Sequence, residues 1–158
     1  MPSATQEIFY RSATDLAAML KNKEISSFEL TKLFIERIEQ YDGAINAFCV
    51  RTFEQALADA AAADTAIANG MATGPLHGVP MSIKESYVMA NTPATWGLAA
   101  YRNNIASADG LAVARFRAAG AHFLGKTNVP KDLADFQSFN SIYGTTNNPW
   151  DVSREPGG

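Results

Sequence analysis

The order of secondary-structure signals between residues 79 and 124 most limits what this chain can fold into. Residues 79–84 predict a strand, residues 109–119 predict a helix that begins at Asp109, and residues 121–124 predict a second, buried strand. A helix between two strands joins them as parallel neighbours and packs on one face of their sheet. The pattern therefore predicts an α/β layer.

The first 70 residues instead carry the periodicity of helices. Ser26 and Glu29 have the spacing of a capping box, and the helix behind them is predicted to end at Asp42-Gly43. Alanine-rich residues 52–69 predict another helix, with small side chains that allow close approach of a neighbouring element. The remaining predicted elements are a helix near residues 14–21, a brief strand at 45–50 and a short helix near 131–136.

The character of the chain changes at Gly74-Pro75, and we divide it there. Residues 1–73 are predicted to form an N-terminal helical segment, and residues 74–158 are predicted to form the first part of an α/β core. Two or so strands make a poor sheet by themselves. We therefore expect one incomplete domain whose sheet edges are exposed.

Composition excludes several classes of partner. A net charge of −3 and a pI near 5.3, with scattered basic residues, argue against nucleic acid and anionic membranes. No apolar stretch approaches the roughly 20 residues of a membrane helix. The single Cys49 and the lack of a signal peptide predict a reducing, cytoplasmic location. With two His and one Cys, we expect no metal site of the His/Cys type.

Lys84, at the end of the first predicted strand, is the sharpest candidate for chemistry. A lysine at a strand end is often simply solvated. Inside a closed site, however, desolvation favours the neutral amine, which can accept a proton as a general base. The residues alone leave both interpretations open.

Two other catalytic patterns fit the sequence less well. His77 and His122 lack a G-x-S-x-G motif and a nearby orienting acid, so both are interpreted as structural. Residues 120–127 match the phosphate-loop pattern G-x-x-x-x-G-K-T, but a helix precedes the first glycine and a strand is predicted inside the motif. A nucleotide site needs the reverse order, so nucleotide binding is the less favoured interpretation of this match.

Three blocks, GPLHGVPMSIKES, GAHFLGKTNVP and TTNNPWDVSREPGG, together resemble the amidase signature family of serine hydrolases. The resemblance implies a mixed-sheet α/β core, a Ser-cisSer-Lys triad with Lys84 as the base, and no metal or organic cofactor. In the family both serines follow the Gly-Gly pair, here Gly157 and Gly158. We therefore expect the N-terminal portion of an amidase, and a chain that is inactive in isolation.

In the second block, the resemblance implies that Lys126 and Thr127 stabilise the core and the approach to the active site. It also aligns the loop at residues 137–144 with a segment that lines the substrate cleft. Gln137, Ser138 and Ser141 are the expected lining residues, and a plain surface loop is the alternative. Glu85 departs from the pattern, because many relatives have Asp after the lysine.

The expected substrate is a small carboxylic amide, and a homo-oligomer is possible. The resemblance favours the branch of the family that acts on small amides over the A-type component of tRNA-dependent amidotransferases. That component stays an alternative, as does a non-catalytic, truncated fragment that binds a partner.

Overall fold

The computed structural model describes residues 7–71 and 74–157. The helices are α1 (Ala13–Lys21), α2 (Ser27–Ile45), α3 (Phe53–Ala68) and α4 (Leu111–Ala118). The strands are β1 (Phe48–Arg51), β2 (Pro80–Lys84), β3 (His122–Thr127), β4 (Phe139–Asn140) and β5 (Gly144–Thr145). Short 3-10 turns occupy Ala99–Tyr101 and Lys131–Leu133.

The main sheet has the strand order β1-β3-β2 and is mixed. Strands β2 and β3 are parallel and are joined through α4, which confirms the predicted crossover. Strand β1 pairs antiparallel with β3, a pairing that the sequence pattern did not indicate. Within the described residues no strand pairs with the outer side of β2, so β2 is an edge strand.

The predicted capping box at the start of α2 is present. The amide of Glu29 donates to Ser26 Oγ at 3.1 Å, and the amide of Ser26 donates to the Glu29 carboxylate at 3.1 Å. The expected stop at Asp42-Gly43 was wrong, because α2 continues to Ile45. Asn46 ends it with a left-handed φ of 55°, a conformation that asparagine tolerates better than most residues.

Two other predictions, one of a helix cap and one of a whole helix, were also wrong. Asp109 does not cap α4, since Gly110 is the cap residue and the Asp109 carboxylate instead accepts from the Ala90 amide at 2.7 Å. The helix expected near residues 131–136 is only a 3-10 turn. Its residues Asp132 and Leu133 both have a φ of 56°, which a right-handed helix cannot include.

The core lies on both faces of the sheet. One buried cluster packs α4 against β2 and β3, and its members are Ile83, Met89, Val113 and Phe123. A second packs α2 and α3 against β3 through Ile35, Ala56 and Leu124. The buried alanines of α3, which are Ala56, Ala60 and Ala63, give it the small face that its composition predicted.

Gly125 pairs with Arg51 of β1, at a point where the backbones of β1 and β3 approach closely. Its φ is 152°, and a Cβ atom built on it would lie 2.1 Å from the carbonyl oxygen of Val50. Backbone atoms of a paired strand cannot move aside without breaking the sheet. Position 125 therefore admits only glycine.

His122 links α2 to β3 from inside the core. Its Nε2 lies 2.8 Å from Thr31 Oγ1, and both residues are buried. Burial lowers the pKa of His122 to about 4 from an ordinary value of 6.5. The imidazole is therefore neutral in the folded chain at pH 7, which supports the structural interpretation.

We predict opposite effects for alanine at two glycines. Gly125→Ala should destabilise the fold by about 3 kcal/mol or more, since it combines a steric clash with a strained φ. Gly43→Ala, inside α2 with nothing within 4 Å of its Cβ position, should stabilise by about 0.5–1 kcal/mol. Urea unfolding measures both, and equal effects at the two positions would contradict the steric account.

We also predict a dependence of stability on pH that comes from His122. Because its folded pKa lies below the unfolded value, its contribution is complete above about pH 6.5 and is lost as the pH falls toward 4. Between pH 7.5 and pH 5 it should reduce the free energy of unfolding by about 2 kcal/mol. His122→Gln should remove that part of the slope and His77→Gln should retain it, as measured by urea unfolding at both pH values.

Candidate active site

Lys84 is the last residue of β2, opposite Thr127 at the end of β3. Both residues lie at the carboxyl edge of the parallel pair, the edge at which open α/β sheets bind ligands. The Glu85 amide donates to the Thr127 carbonyl at 2.8 Å and fixes the chain just beyond Lys84. The Lys84 side chain is half-buried, and within residues 7–71 and 74–157 its ammonium has no hydrogen bond or ion pair.

Glu85 anchors the loop that follows β2. Its carboxylate is fully buried and accepts hydrogen bonds from the amides of Thr95 at 2.6 Å and Trp96 at 2.9 Å. The hydroxyl of Thr95 donates at 3.0 Å, and that of Tyr143 donates at 3.2 Å. Burial raises the pKa of Tyr143, so its phenol keeps the proton that it donates. Glu85 thus joins the end of β2 to residues far along the chain.

Lys126 compensates the buried charge of Glu85. Its ammonium is fully buried, lies 3.9 Å from Glu85 Oε1 and donates to the carbonyl of Pro93. Desolvation lowers the pKa of Lys126, and the charge of Glu85 opposes that shift. This position agrees with the expectation that Lys126 stabilises the core next to the site.

Two asparagines that the sequence analysis overlooked arrange the chain after β3. Asn128 Nδ2 donates to the Gly144 carbonyl and to Thr146 Oγ1, both at 3.1 Å. Asn140 Nδ2 donates to Asn128 Oδ1 at 2.9 Å and to the carbonyl of Val129 at 2.8 Å. Both side chains are buried, so this network holds the β4–β5 hairpin against the carboxyl edge of the sheet.

Comparisons with known proteins identify the family to which a chain with this geometry belongs. Residues 29–158 match the family described as Amidase. The chain belongs to the amidase signature family.

Named relatives in this family have different activities. The A-type component of the glutamyl-tRNA(Gln) amidotransferase of Moorella thermoacetica is 40% identical, and the match covers 96% of this chain and 31% of that protein. The Acylamidase of Rhodococcus erythropolis is 36% identical, with 97% and 32% covered. The structure of Fatty acid amide hydrolase superposes with a TM-score of 0.93 at 28% identity, covering 100% of this chain and 28% of that one.

The chain therefore spans about a third of the length of the curated relatives that it matches. The similarity confirms the amidase signature resemblance and its mixed α/β core. The identities do not separate the two branches, since the amidotransferase component is at least as similar as the acylamidase.

The predicted lining residues of the amidase cleft lie in different environments. Ser138 is buried, and its hydroxyl donates to the carbonyl of Gly157 at 3.2 Å. Gln137 and Ser141 are exposed, and the carbonyl of Ser141 accepts from Arg102 at 3.1 Å. The structure thus brings Ser138 to the Gly-Gly segment, while Gly158 lies outside the described residues. A lining role for these residues stays a prediction.

The rejected patterns are accounted for by the same geometry. Residues 122–127 form a β-strand, so the phosphate-loop match lies inside a sheet. His77 donates from Nε2 to the carbonyl of Ala63 at 3.2 Å.

In the described ranges no group of three or more His, Cys, Asp or Glu side chains could hold a metal ion. None of the helices described there combines the length and apolarity of a membrane span.

We predict that the Glu85–Lys126 pair couples strongly. Glu85→Ala would leave a buried cation and two amides without an acceptor, and it should cost about 3–5 kcal/mol. Glu85→Ala in a Lys126→Met background should cost less, because no unpaired charge remains. A double-mutant cycle by urea unfolding measures this coupling.

The exposed pair Lys32–Glu36 is the matched control for that cycle. Its atoms lie 3.8 Å apart, nearly the same separation, but both side chains are more than half exposed. Its coupling should be at most about 1 kcal/mol. Equal coupling in the two cycles would mean that burial does not set the strength of the Glu85–Lys126 pair.

Proposed function

We propose that this chain carries the general base of an amide hydrolase, and that Lys84 is this base. The observation that supports the proposal is the ammonium of Lys84, which has no partner among the described residues and lies at the carboxyl edge of the sheet. The neighbouring cation, Lys126, is committed to Glu85 and Pro93. Lys84 is therefore the available amine at this edge.

The reaction proposed is cleavage of a carboxylic amide to an acid and ammonia or an amine. As the family resemblance implies, neutral Lys84 takes a proton from a serine held by a cis peptide bond, and that serine takes one from the nucleophilic serine. The nucleophile attacks the amide carbonyl, and the proton held by Lys84 returns through the first serine to the nitrogen, which leaves as ammonia or an amine. Water then hydrolyses the acyl-serine ester, which releases the acid and restores the serine hydroxyl. Both serines follow the Gly-Gly pair in the family, so we propose that residues 1–158 alone are inactive.

A second candidate function is the A-type component of an amidotransferase. The 40% identity to such a component favours it. In that case Lys84 has the same chemical role, but the protein requires partner subunits and acts with a misacylated tRNA. The two candidates differ in whether the protein hydrolyses simple amides without partners.

The proposed function also includes a small-molecule amide as the substrate and a cytoplasmic location for the protein. Cys49 is half-buried, and burial raises the pKa of its thiol to about 12. A thiol with that pKa is unreactive at neutral pH, which fits a structural role. Assembly into a homo-oligomer stays a prediction, and no role for nucleic acid is proposed in the hydrolase.

We predict that Lys84→Ala lowers kcat/KM for amide hydrolysis by a factor on the order of 10²–10⁴, the usual contribution of a general base. Lys84→Arg should be equally impaired, because a guanidinium cannot give up its proton at neutral pH. The measurement is ammonia release from simple amides by the protein expressed at the full length of its gene. Lys32→Ala, which removes an exposed lysine, should retain activity.

Three further results decide between the alternatives. Activity in residues 1–158 alone, lost on Lys84→Ala, would contradict the proposed requirement for the serines. Glutaminase activity that appears only with copurified subunits and tRNA would favour the amidotransferase. An intact mass near 17.0 kDa, with no activity, would favour the non-catalytic fragment.

A further inference from the structure

We propose that Trp96 forms a wall of the amide site and favours substrates with an aromatic or bulky apolar group beside the scissile amide. The inference rests on the proposed function, because it assigns a specificity to the site around Lys84. Three properties of Trp96 support it, namely its position, its backbone conformation and its exposure.

Trp96 contacts both residues that follow the proposed base. Its amide donates to the Glu85 carboxylate at 2.9 Å, and its indole Nε1 donates to the carbonyl of Ser86 at 3.1 Å. The second bond fixes the orientation of the ring, because it uses the only polar atom of the side chain. Trp96 therefore has a defined position next to the Lys84 segment.

The backbone of Trp96 is strained. Its φ is 52°, a left-handed value that is a genuine outlier for a bulky side chain. The Asp132 amide donates to its carbonyl at 2.8 Å and holds this conformation from the far side. Gly97 follows with a φ of 66°, and a Cβ there would lie 2.8 Å from that of Asn140. Strain that several elements maintain together is a reason to look for function.

The Trp96 indole is not part of the core clusters of the described residues. Trp96 is 43% exposed, and the nearby core cluster of Ile83, Met89, Val113 and Phe123 forms without it. Because the indole nitrogen is already bonded, the exposed part of the ring is apolar. An apolar surface fixed next to the segment that carries the proposed base suits a substrate whose group next to the amide is itself apolar.

The test compares phenylacetamide and acetanilide with acetamide, which lacks the phenyl group of either. The measured quantity is the ratio of kcat/KM for the better of the two phenyl amides to kcat/KM for acetamide. In the protein expressed at the full length of its gene, Trp96→Ala should lower this preference by about tenfold or more. Trp96→Phe should retain most of that preference. Trp150→Ala, which removes an indole that is 95% exposed, is the matched control and should leave the preference unchanged.

A binding measurement separates this inference from the proposed function. Trp96 and Trp150 are the two tryptophans among residues 1–158. In the protein expressed at the full length of its gene, we identify the emission of Trp96 as the difference between Trp150→Phe, which keeps this indole, and the double variant Trp96→Phe/Trp150→Phe, which lacks it. We expect 4-nitrophenylacetamide, a nitroaromatic quencher, to quench this emission in a saturable way.

Each outcome has a defined meaning. An equal loss of activity toward all three amides in Trp96→Ala, without saturable quenching, would overturn the inference while the hydrolase stands. No hydrolysis together with no saturable quenching would overturn both. No hydrolysis with saturable quenching would overturn the proposed hydrolase and retain the apolar wall.

Discussion

The buried charge of Glu85 is the constraint on which the site depends. A carboxylate without solvent is tolerable only if donors surround it, and here these come from the loop at Thr95, from Tyr143 and from Lys126. These partners lie 10 to 58 positions away in the sequence. One side chain thereby fixes the relative positions of the end of β2, the following loop and the β4–β5 hairpin, and with them the backbone that carries Lys84.

Local chemistry explains why part of this fold was predictable. The capping box at Ser26 and the helix between β2 and β3 are set by residues a few positions apart, and both were predicted correctly. The helix end at Gly43 was wrong because the left-handed residue that ends the helix is Asn46, three positions further on. The cap at Asp109 was wrong because its carboxylate accepts from the distant Ala90 amide. The antiparallel pairing of β1 was missed for the same reason, since four residues carry little pattern of their own.

In the site, too, the features set by nearby residues were predictable and those set by distant contacts were not. Lys84 was identified from one strand and a family motif, and the structure places it at the end of that strand. The roles of Glu85, Asn128 and Asn140 depend on partners brought together by the fold, so their spacing in the sequence carried no signal. For Asn128, the Lys-Thr-Asn block marked the right place, but only the structure shows the amide that holds the hairpin. The strained backbone at Trp96 likewise has no counterpart in composition or periodicity.

Strand β2 carries Lys84 and also forms the edge of the sheet in the described residues. Its outer row of backbone groups is open to a further strand, and any strand that pairs there would lie directly beside the amine. Such a strand would exclude water from the side of the lysine that it covers. How the sheet is completed therefore decides how much water reaches this lysine, and an edge strand without a partner leaves its side chain in contact with solvent.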